Sequence, residues 1–155
     1  MNELDSSGCS AAHWAAKRGD IEMLEILYSF GANLSLVSNS ESQMCPIHWA
    51  ASEGKLASVA FLLDRQVDIN IQDANGCTPV IIATQHNHQD CVVYFIHKGA
   101  DMSLSDNNGD TAIHWSAYKG FVEMQGLLVF AMPREINSTD NFGQVSVFLS
   151  CFVMY

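Results

Sequence analysis

The chain repeats one short pattern at a regular interval, and this repetition constrains the fold more than any other feature. The pair His-Trp stands in AAHWAAKRG, PIHWAASEG and DTAIHWSAYKG, each time among small residues and before a glycine. His13 and His48 lie 35 residues apart, and His48 and His114 lie 66 apart, which leaves room for one more unit with Ile81 at the equivalent position. A period of about 33 residues, with a two-residue insertion early in the chain, predicts a solenoid whose units cannot bury their apolar faces alone.

Each unit carries signals for one turn and two helices. Asp and Gly in the pattern DxxGxT supply the side-chain acceptor and the positive φ that a tight turn requires. A second helix follows the first with helical apolar spacing, as in IEMLEILYSFG, LASVAFLLDRQ and QDCVVYFIHKG. We therefore expect two antiparallel helices and a projecting β-hairpin in each unit. The first helix is predicted to begin near Ala11, Pro46, Pro79 and Ala112 and to end at Gly19, Gly54, Asn87 and Gly120.

Composition and charge argue against several classes of function. The 155 residues are 48% apolar and carry a formal charge of −10. The 7 Lys and Arg residues are scattered, with Lys17-Arg18 the one adjacent pair, and do not form the basic patch of a nucleic-acid binder. Five cysteines without a CxxC pair predict a reduced, cytoplasmic chain. No pair of His or Cys residues has the C-x2–4-C or H-x3–5-H spacing of a zinc site. The segment VSVFLSCFVMY is about half as long as a membrane-crossing helix. We expect no nucleic acid, metal, cofactor or membrane span.

The recurring histidines invite a catalytic interpretation, because imidazole titrates near neutral pH. Catalysis would need an acid or a nucleophile that converges on the same pocket, and the sequence shows no pattern for such a partner. His13 and His114 instead each follow a turn glycine by five residues, at Gly8 and Gly109. We therefore predict a structural role, in which the ring ties neighbouring hairpins together, and we predict no catalytic residue.

The motifs TPVIIA, TAIHWSA and PIHWAA, at these offsets, resemble the ankyrin repeat. The resemblance covers residues 5 to about 143, and it implies an all-α ankyrin-repeat solenoid in which each repeat is a helix-turn-helix with a β-hairpin. It predicts a single domain over residues 1–155, with four full repeats and a truncated, degenerate fifth. Their expected ranges are 5–37, 38–72, 73–105, 106–139 and 140–155.

Ankyrin proteins bind partners through hairpin tips and the ends of their inner helices, which implies a concave groove in this chain. Two interpretations of the tryptophans stay open: the rings fill the seam between stacked helices, or they are partly exposed and anchor a ligand. The mixed polar and aromatic surface suits an extended peptide better than a small metabolite. The predicted peptide-binding residues are Trp49, Trp14, Trp115, Arg18, Glu53, Gln85, Tyr118, Lys119, Asn75 and Asn108.

A narrower resemblance rests on DNNGDTAIHWSAYKGF, the repeated His-Trp and the longer linker GANLSLVSNSESQMCPIHWAA. These stretches are similar to the amino-terminal ankyrin domain of ankyrin-type DHHC palmitoyltransferases, which act at the cytosolic face of the Golgi or other endomembranes. The family implies recruitment of extended, proline-containing substrate segments, with Trp49 as a groove aromatic. Gly19 stands where the family has a partnering asparagine. No Asp-His-His-Cys occurs, so we expect this chain itself to be non-catalytic.

Two alternatives remain at this point. The chain could be a stand-alone cytosolic ankyrin scaffold or adaptor that binds folded partners, or a small hydrolase that uses Cys and His and would need a thiol of low pKa beside a histidine. The sequence also predicts that Phe148, Phe152 and Tyr155 lack a covering helix and promote association, and it leaves the oligomeric state open.

Overall fold

The computed structural model describes residues 2–131, 139–141 and 143, and within them the chain forms four consecutive helix pairs. We call these pairs, with their preceding turns, the first to the fourth unit. The shorter, earlier member of each pair is the inner helix and the later one the outer helix. In chain order they are α1 (Ala11–Arg18), α2 (Ile21–Ser29), α3 (Pro46–Ser52), α4 (Leu56–Asp64), α5 (Pro79–Gln85), α6 (Gln89–His97), α7 (Ala112–Tyr118) and α8 (Val122–Ala131).

The predicted helix boundaries are confirmed. All four inner helices begin at the residues expected from the sequence, and two of them have proline in the first turn, where the missing N–H has no intrahelical partner to lose. Asn87 has φ of 60° and takes the place that glycine holds in the other units. At Gly54 the left-handed φ of 64° is joined by a steric demand, because an added Cβ would lie 2.5 Å from His88 Nδ1.

The units stack in register, as a solenoid requires. The inner helices α1, α3, α5 and α7 pack side by side in sequence order, and the outer helices α2, α4 and α6 form a second row behind them. Small residues on the inner helices, such as Ala16, Ala50, Ala51 and Ala83, are completely buried and allow this close approach. Larger side chains, including Ile47, Leu62 and Phe95, fill the space between the rows, so neighbouring units share one continuous core.

The predicted β-hairpins are present only as tight turns. No β-strand forms in the described residues. In the third unit, for example, two backbone bonds close the tip: Asp73 N–H to the Cys77 carbonyl and Gly76 N–H to the Asp73 carbonyl, each 3.0 Å long. Backbone bonds also join consecutive tips, such as Asn107 N–H to the Asn75 carbonyl at 2.9 Å, beside which the Asn107 side-chain amide donates to the Ala74 carbonyl at 3.0 Å. The tips therefore form a ladder of linked turns along one edge of the stack.

The structural role predicted for the histidines is confirmed for the first two units. The His13 ring accepts a bond from Ser10 N–H at Nδ1 (3.1 Å), so its Nε2 carries the proton and donates to the Met44 carbonyl of the next unit at 2.9 Å. His48 repeats this geometry with Cys45 N–H (3.0 Å) and the Ile71 carbonyl (3.1 Å). Burial lowers the pKa of both rings, so each is a neutral clamp between units.

Two expectations fall outside the described residues. The truncated fifth repeat is represented only by 139–141 and 143, and the predicted exposure of Phe148, Phe152 and Tyr155 concerns residues beyond them. The extent of the single domain over 1–155 therefore stays a prediction. Within the described part of the chain, no helix is long and apolar enough to cross a membrane.

Candidate functional site

A cavity of about 790 Å³ runs along the inner helices beneath the linked turns, and we call it the groove. It extends over all four units because the same inner-helix and turn positions contribute in each. Its walls combine aromatic rings, amides, hydroxyls and carboxylates. The lining residues are Ser7, Cys9, Trp14, Lys17, Ser40, Ser42, Met44, Trp49, Ser52, Asp73, Asn75, Cys77, Ile82, Gln85, His86, Asp106, Asn107, Asn108 and Trp115.

Two tryptophans form an aromatic cluster at one end of the groove. Trp14 and Trp49 meet edge to face, with ring centroids 5.2 Å apart and planes at 82°. The Lys17 ammonium lies 5.1 Å from the centre of the Trp49 ring and 5.8 Å from that of Trp14, within range of cation–π attraction. Glu53 neutralises this cation from 3.6 Å. The cluster offers a ligand a rigid apolar surface, and the charges of Lys17 and Glu53 beside it offset each other.

In the first and fourth units a carboxylate of the turn holds the tryptophan of the inner helix. Trp14 Nε1 donates to Asp5 Oδ2 at 2.8 Å, and Trp115 Nε1 donates to Asp106 Oδ2 at 2.9 Å. The other carboxylate oxygen caps the turn, as where Asp106 Oδ1 accepts from Asn108 N–H and Asp110 N–H. The pKa of Asp5 is lowered, first by the backbone bond from Cys9 and then by the indole. Each carboxylate therefore orients a ring and closes a tip.

The second and third units each hold half of this arrangement. Trp49 follows Ser40, which stands nine residues earlier where the other units have aspartate and whose hydroxyl bonds to those of Ser38 and Ser42. Asp73 is followed nine residues later by Ile82, which has no donor. The middle of the groove thus contains an indole without its carboxylate and a carboxylate without its indole.

Six of the ten predicted site residues line the groove: Trp14, Trp49, Trp115, Gln85, Asn75 and Asn108. Trp14 is 38% exposed, while Trp49 and Trp115 are half-buried, and Trp115 also packs against the core. For Trp115 the ring therefore both packs on the core and lines the groove.

The remaining four predicted residues lie beside the groove and not in its wall. Glu53 reaches it through Lys17. Tyr118 packs edge to face on Trp115 at 5.9 Å, and the Lys119 ammonium lies 5.9 Å from the same ring. Arg18 is exposed at the end of α1. The role of all ten in peptide binding stays a prediction.

The described cysteines argue against the hydrolase alternative. Burial raises the pKa of the Cys45 and Cys91 thiols to about 11, and burial together with nearby carboxylates raises that of Cys77 to about 12. The pKa of Cys9 is also raised by burial. Nucleophilic cysteines need the opposite shift, since the thiolate is the reactive form. These four thiols stay protonated at neutral pH.

Sequence reasoning missed the carboxylates of the groove. The pattern DxxGxT identifies Asp73 and Asp106 only as turn residues, and it gives no sign that Asp5 holds the groove residue Trp14. A signal was present, because Asp5 and Trp14 are separated by nine residues, as are Asp106 and Trp115. That spacing brings the turn residue over the second turn of the inner helix, where its free oxygen meets the indole.

Comparisons with known proteins agree with the repeat architecture. A family model described as ankyrin repeats (3 copies) matches residues 1–73 and 47–140. The chain is 31% identical over 143 residues to the transient receptor potential cation channel subfamily A member 1 of Homo sapiens, covering 90% of this chain and 12% of that protein. It is 30% identical over 143 residues to the probable E3 ubiquitin-protein ligase XBOS32 of Oryza sativa subsp. japonica, covering 86% and 29%.

A third similar protein bears on the narrower resemblance. The palmitoyltransferase AKR1 of Lachancea kluyveri is 28% identical over 144 residues, which cover 90% of this chain and 19% of that protein. The chain therefore spans less than a third of the length of each of these relatives. With its stacked helix pairs, linked turns and matched family model, this chain belongs to the ankyrin-repeat family and is a protein–protein interaction module.

Proposed function

We propose that this chain is the substrate-recruiting ankyrin domain of a protein S-palmitoyltransferase and holds extended peptide segments of partner proteins in its groove. The proposal includes four complete repeats, at 5–37, 38–72, 73–105 and 106–139, and a degenerate partial repeat over 140–155. It places the domain in the cytoplasm, at the cytosolic face of the Golgi or other endomembranes.

The observation that carries the peptide-binding part is the paired ring surface of Trp14 and Trp49. Aromatic surfaces in a concave site are common anchors of protein interfaces, and a proline ring packs well on an indole. The groove lining also includes amides at Asn75, Asn107 and Asn108, which can bond to the exposed backbone of an extended chain. The palmitoyltransferase part is supported by the similarity to AKR1.

The test is a titration of the purified chain with an array of fluorescently labelled, ten-residue, proline-containing peptides, followed by anisotropy. We expect saturable binding that Trp49→Ala weakens more than tenfold, while the unfolding free energy falls by less than about 2 kcal/mol, because Trp49 is only half-buried. Phe30→Ala is the matched control, since Phe30 is 68% exposed on the outer side of the stack and should leave the affinity unchanged.

Two outcomes would contradict the peptide-binding assignment. A loss of 3–5 kcal/mol of stability with unchanged binding, in the range of buried aromatic truncations, would make Trp49 a core residue. No binding of any peptide by the folded protein would favour the second candidate. The palmitoyltransferase assignment is tested separately, by whether the transcript continues past the Tyr155 codon into membrane spans with an Asp-His-His-Cys site.

The second candidate is a cytosolic scaffold or adaptor that binds folded partners. Exposed apolar side chains on the outer side of the first unit favour it: Ile26 and Tyr28 are each 49% exposed and Phe30 is 68% exposed. Such a surface suits a flat, folded partner better than an extended peptide. Retention of a partner by Trp49→Ala, with loss in Phe30→Ala, would support this candidate over the first.

A further inference from the structure

Asp73 stands out in the middle of the groove because half of its carboxylate has no partner. Its Oδ1 accepts from Asn75 N–H at 2.8 Å and from Cys77 N–H at 2.9 Å, which closes the turn. Its Oδ2 is buried, and no described residue donates to it. The residue is only 8% exposed, yet it lines the groove. A buried carboxylate oxygen without a donor is costly, so its persistence in a binding groove calls for a functional reason.

The neighbouring units show what this oxygen is oriented to accept. In the first and fourth units the equivalent Oδ2 takes the indole N–H of a tryptophan nine residues later. In the third unit that residue is Ile82, which is 2% exposed and lines the groove. The third unit keeps the acceptor in the same turn geometry but lacks the internal donor. A donor supplied from within the groove would complete the arrangement.

The charge around Asp73 favours a cationic donor over a neutral one. Among the described lining residues, Lys17 is the one Lys or Arg, and it is paired with Glu53. Asp106, the next carboxylate along the wall, has both oxygens engaged by N–H donors but still contributes negative charge. The raised pKa of the Cys77 thiol reflects, after burial, the fields of Asp73 and Asp106. Two carboxylates therefore lie close together in this part of the groove, and no Lys or Arg among the described residues forms an ion pair with either of them.

We propose that Asp73 receives a basic side chain, arginine or lysine, from the bound peptide, through a charge-assisted bond to Oδ2. This deepens the proposed function and rests on it. Trp49 anchors a neighbouring apolar or proline residue of the same peptide, and the Asp73 carboxylate selects peptides with a cation at the adjoining position. The groove then recognises two side chains of an extended segment, an apolar one at Trp49 and a charged one at Asp73.

The test uses matched peptides that differ in one charge. Peptides from the array that contain arginine are compared with versions in which citrulline, a neutral side chain of nearly the same shape, replaces it. We expect the folded chain to bind at least one arginine peptide about tenfold more tightly than its citrulline version. In Asp73→Asn, where Oδ1 still closes the turn, the preference should fall to within about twofold. Asp90→Asn, an equal change of charge on the exposed start of α6, should keep it.

The outcomes separate this inference from the proposed function. Tight binding of proline-containing peptides with equal affinity for arginine and citrulline versions overturns the basic-residue inference and leaves peptide recruitment standing. A preference for arginine that survives in Asp73→Asn also overturns the assignment to Asp73. Absence of binding by every peptide overturns both. If Asp73→Asn fails to fold by circular dichroism, the comparison of arginine and citrulline on the unaltered chain still decides whether a cation is selected.

Discussion

The third unit has the same backbone fold as the other three units but differs from them at two adjacent positions of the inner helix. The others have His-Trp, at His13-Trp14, His48-Trp49 and His114-Trp115, whereas the third has Ile81-Ile82. Ile81 is completely buried and replaces a hydrogen-bonding clamp with apolar packing. His88 provides a different link, since its Nε2 lies 2.9 Å from the Ser52 carbonyl of the second unit. The fold therefore accepts two ways of joining units.

At the second position of the pair, that of the tryptophan, the change to isoleucine affects the groove and not the core. Replacing tryptophan by Ile82 leaves the core intact but leaves the Asp73 carboxylate half-satisfied in the groove. The histidine position is therefore a stability position, at which the packing of the buried Ile81 side chain replaces the hydrogen-bonded ring. The tryptophan position is a groove position, where a change alters what the surface offers to a ligand. Substitutions that exchange residues between the units test this distinction.

The largest expected effect follows from giving the second unit the residue of the third, His48→Ile. The variant keeps the ring's approximate bulk but leaves the Cys45 N–H and the Ile71 carbonyl without their bonds to the imidazole. We expect the unfolding free energy at pH 7 to fall by about 2–4 kcal/mol, measured by urea denaturation. Ile81→Val in the third unit is the control, with an expected loss of about 1 kcal/mol.

Acidification should reduce the difference in unfolding free energy between His48→Ile and the parent chain. Burial lowers the pKa of His48 in the folded state, so below about pH 6.5 the unfolded chain takes up a proton that the folded chain does not. This proton uptake lowers the unfolding free energy of the parent by up to about 1.4 kcal/mol per pH unit. His48→Ile has no imidazole at this position and does not lose this stability. A gap that stays constant between pH 7 and pH 5 would show that His48 is not a buried neutral clamp.

A smaller effect separates the paired tryptophans from the unpaired one. Trp115→Phe keeps an aromatic ring but leaves Asp106 Oδ2 without its donor, and Asp106 is only 7% exposed. We expect a loss of about 1.5 kcal/mol from Trp115→Phe and of about 0.5 kcal/mol or less from Trp49→Phe, which has no carboxylate partner to abandon. Thermal and urea denaturation measure both losses. If Trp115→Phe and Trp49→Phe lose equal stability, the distinction between the two kinds of unit is wrong.

The smallest expected effect is a difference in stability between two variants of the third unit, one of which receives the tryptophan of the other units. In Ile82→Trp the indole N–H can reach Asp73 Oδ2 in the geometry that Trp115 has with Asp106. We expect Ile82→Trp to be more stable than Ile82→Phe by about 1 kcal/mol, because both add bulk but only tryptophan adds a donor. The same variant should lose the preference for arginine peptides. A tryptophan variant no more stable than the phenylalanine variant would mean that the two units do not share this geometry.

Much of the fold follows from the printed sequence because its signals are local. The helix starts at Pro46 and Pro79 and the left-handed residue Asn87 depend on backbone rules that act within a few residues. The groove was only partly predictable, since six of the ten proposed residues line it. Glu53, Tyr118 and Lys119 reach it through neighbours. Those contacts depend on side-chain directions across unit boundaries, which repeat spacing does not specify.

The sequence by itself determined the period, the positions of the helices and the residues of the clamps, because these rest on local backbone preferences repeated in register. Only the tertiary structure decided which polar groups find partners. The stack brings the turn of each unit over its own inner helix, so the pairing of Asp5 with Trp14 and the isolation of Asp73 emerge together. A hydrogen bond is satisfied or not according to distances of tenths of an ångström, and such distances exist only once the units are packed.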